Sequence, residues 1–193
     1  MKTHTIILAA GKGTRMNTNL PKVMQPLGGK SLITHVINTA QERSTKTTVV
    51  VGHQKDLLVE HLAEIDPNIL TVDQENQLGT AHAVKSASHL IQDDEKVLIL
   101  YGDVPLISNK TIQSLFDSTN KCTLLSMTLS DPTGYGRVVS NEENLALKII
   151  EQKDASEDER KIKEVFTGIL LIDGGLLRPA LEEVNNQNAS NEY

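Results

Sequence analysis

The chain has 193 residues, 19 basic against 25 acidic, for a formal net charge of −6, and 38% of it is hydrophobic. That is one domain's worth of chain, apolar enough for a single core and too apolar to stay disordered; without a Lys/Arg cluster it lacks the basic stripe that tracks a nucleic-acid backbone, so no nucleic-acid partner is expected. No apolar run approaches the ~20 residues that cross a bilayer, so no membrane partner is expected, and a single cysteine, Cys122, rules out an internal disulfide framework and fits a reducing, cytoplasmic setting.

Aromatic residues supply only 3% of the chain, so the core must rest on Ile, Leu, Val and Ala, as in buried parallel strands. In chain order, residues 6–10, 49–51, 69–72, 97–100, 123–129 and 169–172 are β-branched apolar runs that read as strands. Between them apolar residues recur three and four apart, around Leu32 to Thr39, Leu57 to Leu62, Ala83 to Leu90 and Ile112 to Phe116, which predicts amphipathic helices. Strand and helix in alternation imply an α/β, doubly wound, mostly parallel Rossmann-like sheet, whose ligands sit at the carboxyl ends of strands. From about Gly134 the rhythm changes: residues 135–140 and 146–152 predict a small antiparallel insertion, and the charged residues 153–164 a solvated helix. The polar tail, residues 185–193, closes no predicted element and reads as frayed or cut short. No repeat is present, and none of the short repeats that wind a β-helix.

The first strand runs into Leu8-Ala9-Ala10-Gly11-Lys12-Gly13-Thr14-Arg15-Met16, then Leu20-Pro21-Lys22-Val23. Gly11 and Gly13 let the backbone turn tightly and present N–H groups to an anion, while Lys12, Arg15 and Lys22 add positive charge, a pattern suited to a polyphosphate. Competing motifs fail on spacing: G-x-G-x-x-G would need glycine where Met16 stands, and a P-loop ending at Gly29-Lys30-Ser31 would need glycine in place of Met24.

L-A-A-G-x-G-x-R-M with a following P-K resembles the signature of sugar-nucleotide pyrophosphorylases. Four later segments narrow the resemblance: Gln74 to Ala83 (QENQLGTAHA), Tyr101 to Leu106 (YGDVPL), Gly134 to Val138 (GYGRV) and Glu151 to Ala155 (EQKDA). In this order they resemble the uridylyltransferase domain of the bacterial bifunctional N-acetylglucosamine-1-phosphate uridylyltransferase and glucosamine-1-phosphate acetyltransferase, over residues 6 to about 172. The resemblance implies a nucleotide-diphospho-sugar transferase fold and Mg²⁺-dependent uridylyl transfer from UTP to N-acetylglucosamine-1-phosphate, giving UDP-N-acetylglucosamine and pyrophosphate. Lys22 and Arg15 are then the catalytic cations. Leu8, Ala9, Ala10, Gly11, Gly13, Gln74, Gly79, Thr80, Tyr101, Gly102 and Asp103 hold the nucleotide, Asp103 holds the metal, and Gly136, Glu151 and Phe166 hold the sugar. Taken without the resemblance, Asp103 suits a turn or helix cap and Thr80 a helix cap. The six histidines show no metal-site spacing, and most read as solvated or packed.

Two departures from the family pattern stand out. Phe166 occupies the position of a sugar-binding Asn, and the family's other metal-binding Asn lies beyond Tyr193. The chain therefore reads as one nucleotidyltransferase domain, residues 1–193, with its carboxyl-terminal part and the acetyltransferase β-helix missing; the family's homotrimer depends on that β-helix. The alternatives are a related nucleotidyltransferase using another sugar or base, and a non-catalytic nucleotide-binding fragment.

Overall fold

The computed structural model describes residues 2–13, 16, 20–189 and 193. β1 (Thr3–Leu8) is central, with every one of its residues buried. It pairs in parallel with β4 (Lys46–Val51) on one side and β6 (Lys96–Tyr101) on the other, and β4 pairs in parallel with β5 (Leu70–Asp73). A strand buried on both faces favours apolar residues at successive positions rather than at alternate ones, as in the carboxyl-terminal halves of β1 and β4, while Thr3, His4, Thr5, Thr47 and Thr48 are buried polar residues in their amino-terminal halves. Ile7 of β1, Val49 and Val51 of β4, and Leu98 and Leu100 of β6 face one core cluster, whereas Ile6, Leu8, Val50, Val97 and Ile99 face the other.

Helices seal both faces. α1 (Leu32–Gln41), α2 (Lys55–Ile65) and α4 (Asn109–Phe116) put Ile33, Ile37, Leu58, Leu62, Ile112 and Leu115 into the first cluster. α3 (Thr80–Ser86) and α6 (Gly174–Glu183) put Ala83, Val84, Leu177 and Leu181 into the second. Ser31 caps α1 and Ser108 caps α4, each accepting the N–H three residues on. This is the doubly wound α/β arrangement expected from the alternation of strand and helix.

The remaining strands form an antiparallel half. β10 (Glu164–Asp173) runs antiparallel to β6, to β7 (Cys122–Thr128) and to β8 (Arg137–Ser140), and β8 pairs with β9 (Ala146–Ile150) as the expected insertion. Between Phe166 and Leu170 the pairing with β7 shifts register, a bulge that carries Gly168 at φ +85°. Arg137, 1% exposed, braces the insertion by donating to the Tyr135 carbonyl and to Gln152 Oε1. A short hairpin, β2 (Pro26–Leu27) with β3 (Lys30–Ser31), precedes α1.

Two expectations need correction. The charged residues 153–164 form only one helical turn, α5 (Glu157–Arg160), closed by a Ser156/Glu159 capping box, and Glu164 already belongs to β10. Lys148 of β9 lies 2.6 Å from the Glu159 carboxylate; with the Ser156 backbone and hydroxyl bonds it holds that carboxyl down at about 2. The tail is also not idle at its end: the Tyr193 N–H donates to the Leu78 carbonyl at 2.7 Å, and the Tyr193 carbonyl accepts from the Ala81 N–H at 3.1 Å.

At the opposite end of the sheet from these contacts, His4 is fully buried. Its Nδ1 lies 3.0 Å from Glu95 Oε1 and its Nε2 2.8 Å from Thr48 Oγ1. Desolvation, reinforced by the Lys46 ammonium, pushes the imidazole below its ordinary 6.5 despite the opposing pull of Glu95.

Candidate active site

The carboxyl ends of β1, β5 and β6 open into a cleft of about 420 Å³. Of the residues expected to hold a nucleotide, Leu8, Ala9, Ala10, Gly11, Gly13, Gln74, Gly79, Thr80, Tyr101 and Asp103 line it, together with Lys22. Met16, Val23, Gln77 and Ala83 line it too and were not anticipated. Gly102 does not line the cleft but sits beneath it, its N–H donating to the Leu8 carbonyl at 2.9 Å, so the turn after β6 is stitched to the end of β1. Arg15 lies outside the described residues.

Lys22 starts a 3-10 turn (Lys22–Met24), and its ammonium donates to the Asp103 carboxylate, an ion pair across the cleft mouth. Gly13 holds a left-handed backbone, φ +58°, and a methyl group there would stand 2.7 Å from Lys22 Cβ. Glycine at this position thus does two things: it permits the turn and lets the stem of Lys22 lie against it. Asp103 falls in the tight turn after β6, where the Val104 N–H donates to the Tyr101 carbonyl at 3.2 Å. The turn fixes the carboxylate at a strand end instead of leaving it as a helix cap.

Thr80 is the first residue of α3, but its side chain makes no capping bond. It hydrogen-bonds the Tyr101 hydroxyl instead. Burial, with added repulsion from the Asp103 and Glu151 carboxylates, pushes the Tyr101 phenol above its ordinary 10, against the Thr80 bond that favours the anion. Tyr101 is therefore a neutral phenol at physiological pH, and Gly168 packs on its ring: a methyl group at Gly168 would overlap Cε2 and lie 2.7 Å from Cζ and Oη.

Gly136, Glu151 and Phe166 lie outside the lining of this cleft, yet the fold brings them together. The Phe166 N–H donates to the Gly136 carbonyl at 2.9 Å, and a Glu151 carboxylate oxygen lies 2.9 Å from where a Cβ on Gly136 would stand. Because Arg137 and Val165 are paired and buried, alternation puts Gly136 and Phe166 on the other face, with the Glu151 carboxylate. Glu151 is close enough to act electrostatically on Tyr101, so this second group adjoins the cleft on the Tyr101 side.

His82 does not line the cleft but packs against a residue that does: its Nδ1 lies 3.0 Å from Gln74 Nε2. The signal available in the sequence was its place two residues after Thr80, inside a segment already singled out. Among the described residues no group of three or more His, Cys, Asp and Glu is placed to hold a metal. Asp103 is a lone, partly exposed carboxylate that already faces a cation, the Lys22 ammonium. Such a donor set suits a hard divalent ion that takes its remaining ligands from phosphate oxygens and water.

Fold and cleft define a doubly wound α/β domain with its cavity at the carboxyl ends of parallel strands, the position where such sheets bind ligands. The MobA-like NTP transferase domain model matches residues 5–163, and the chain belongs to that family. It is 43% identical to the bifunctional protein GlmU of Clostridioides difficile (strain 630) and 44% identical to that of Hydrogenovibrio crunogenus, with the whole chain covered in both cases. The chain spans 42% and 43% of the length of these curated relatives. The fold is that of a UDP-glucose pyrophosphorylase crystallised with UDP-glucose: the TM-score is 0.77 over the whole chain and 83% of that structure, at 17% identity. No helix among the described residues is long and apolar enough to cross a membrane.

Proposed function

We propose that this domain transfers a uridylyl group from UTP to N-acetylglucosamine-1-phosphate in the cytoplasm, forming UDP-N-acetylglucosamine and pyrophosphate. The observation that carries this reading is the convergence of Lys22 and Asp103 on the glycine turn of β1, in the same cleft as Gln74 and Gly79. A sugar-1-phosphate is already an anionic nucleophile at neutral pH, since its second pKa is near ~6. Its oxygen attacks the α-phosphorus of UTP, and the bond from that phosphorus to the bridging oxygen of the β-phosphate breaks, releasing pyrophosphate. No general base is required. What the chain must supply is position and charge: Lys22, with Arg15, neutralises the α-phosphate and the departing pyrophosphate.

Asp103 would hold Mg²⁺, which when bound adds a second positive charge against the phosphates. The backbone of residues 8–11 cradles base and ribose, Tyr101 with Thr80 closes one side as a neutral hydrogen-bonding wall, and Gly136 with Glu151 takes the sugar. An ionised carboxylate accepts from sugar hydroxyls, which donate. Phe166 favours a second reading, in which the same transfer serves another sugar phosphate, because a benzyl group makes no hydrogen bond.

The test is pyrophosphate release from UTP and N-acetylglucosamine-1-phosphate with Mg²⁺, expected for the wild-type protein and lost in Asp103→Ala. A panel of nucleotides and sugar phosphates separates the two readings. UTP binding with no turnover on any sugar phosphate would leave a non-catalytic binding module in their place.

A further inference from the structure

The carboxamide of Gln74 is buried at 3% exposure, and both of its N–H groups are committed. Nε2 donates to the Gly79 carbonyl at 3.1 Å and to His82 Nδ1 at 3.0 Å. A carbonyl oxygen can only accept, so the atom facing Gly79 must be the amide nitrogen, and His82 Nδ1 must then be the unprotonated ring nitrogen. That assignment leaves Oε1 as the free half of the group. Among the described residues it has no protein partner, and it is not sealed from solvent in the cleft that Gln74 lines.

His82 is itself held. Its ring leans on that of Tyr193, centroids 6.1 Å apart and tilted by 51°, and the Tyr193 backbone pairs with Leu78 and Ala81 on either side of Gly79. Gln77 Nε2 donates to the Gln74 carbonyl at 3.0 Å, fixing the backbone on which the carboxamide is mounted. Tyr193 thus clamps the 78–82 segment, the segment presents Nδ1 and a carbonyl, and these two acceptors orient one amide.

We infer that His82 is a positioning residue for base selection: by accepting from Gln74 Nε2 it turns Gln74 Oε1 towards the base, so the cleft takes a pyrimidine with an N3–H and rejects cytosine. Uracil presents N3–H as a donor between two carbonyls, whereas cytosine presents a bare N3 that an acceptor repels. The inference rests on the nucleotide-binding reading above and deepens it by assigning the discrimination to a residue outside the direct contacts. With His82 unable to accept, Gly79 alone opposes rotation of the amide, and a rotated amide offers N–H to the base, which suits cytosine.

The experiment measures UTP and CTP affinities by calorimetry for wild type, His82→Phe and His82→Asn, with thermal unfolding to check the fold. Phe keeps a ring for Tyr193 but accepts nothing; Asn restores an acceptor at nearly the position of Nδ1. Loss of one orienting hydrogen bond should lower the UTP-to-CTP affinity ratio in His82→Phe by about three- to tenfold, and His82→Asn should recover most of it. An unchanged ratio in His82→Phe, or equal weakening of both nucleotides, overturns the inference and leaves the proposed function standing if wild type still prefers UTP. Wild type that binds neither nucleotide removes the proposed function as well.

Discussion

Gly168→Ala is the most direct probe of how the antiparallel half of the sheet supports the cleft. Gly168 holds φ +85°, a left-handed conformation that costs an alanine about 1–2 kcal/mol. The added methyl would also stand 2.7 Å from Cζ and Oη of Tyr101, closer than non-bonded atoms tolerate, so the ring must shift. A shifted ring loses the Thr80 hydrogen bond, worth about 0.5–1.5 kcal/mol. The expected loss of stability is therefore roughly 1.5–3.5 kcal/mol, read from urea unfolding at constant slope. The two parts separate in a double-mutant cycle: in a Tyr101→Ala background the clash and the hydrogen bond are gone, and Gly168→Ala should cost only the backbone part. UTP binding should weaken in the single mutant, because Tyr101 lines the cleft. An equal cost in both backgrounds would refute the packing argument.

Lys22→Ala should abolish turnover yet tighten Mn²⁺ binding to the nucleotide-free protein, since the ammonium competes for Asp103; a half-exposed ion pair is worth about 0.2–1 kcal/mol, which predicts up to about fivefold in titrations followed by electron paramagnetic resonance, and weaker binding would contradict it. His4, depressed below its ordinary value in the folded state, binds fewer protons there than in the unfolded chain; its neutral form therefore stabilises fully above pH 6.5, and stability should fall with acidification below that, by at most about 1.4 kcal/mol per pH unit. His4→Gln should flatten that slope in unfolding curves taken between pH 7 and pH 5, within the range where the unfolded histidine gains its proton. Phe166→Asn should lower KM for N-acetylglucosamine-1-phosphate about two- to tenfold by adding one hydrogen bond beside Glu151, and no change would place the sugar elsewhere.

Much of the parallel half of the sheet was legible because its inner strands end in apolar runs buried on both faces, as residues 97–100 show, although Thr3, His4 and Thr5 of β1 are buried polar residues and β5 is partly exposed. The cleft was legible for a related reason: residues such as Asp103 and Gln74 directly follow such runs, and the topology brings strand ends together. α6 was missed because Gly174, Gly175 and Pro179 speak against a helix, while the Leu177 and Leu181 spacing that anchors it is only one turn long. The charged residues 153–164 misled in the opposite direction. Their charge signals exposure, and exposure is equally satisfied by a turn; what decides is that Val165 must be buried and so draws Glu164 into β10. His82 was legible only as a member of the segment from Gln74 to Ala83, and Tyr193 not at all, because their contacts with Gln74 and Leu78 join residues that no local pattern pairs.

Lys22 and Asp103 show why the cleft needs so few charged groups. Left alone, a carboxylate at the end of a buried strand beside a neutral phenol would be poorly solvated, and an ammonium on the glycine turn would repel any cation. Paired, each offsets the other's charge at the cleft mouth. On the proposed reading, a triphosphate arriving with a divalent ion would bring the same two charges in opposite order: its anion would replace Asp103 as the partner of Lys22, and Asp103 would be left to hold the cation. One ion pair would give way to two, so each ligand component would gain most when the other is present. Binding of metal and nucleotide should therefore be mutually reinforcing, and Asp103→Asn, which keeps the turn but removes the charge, should bring the nucleotide affinity measured with Mg²⁺ close to that measured without it.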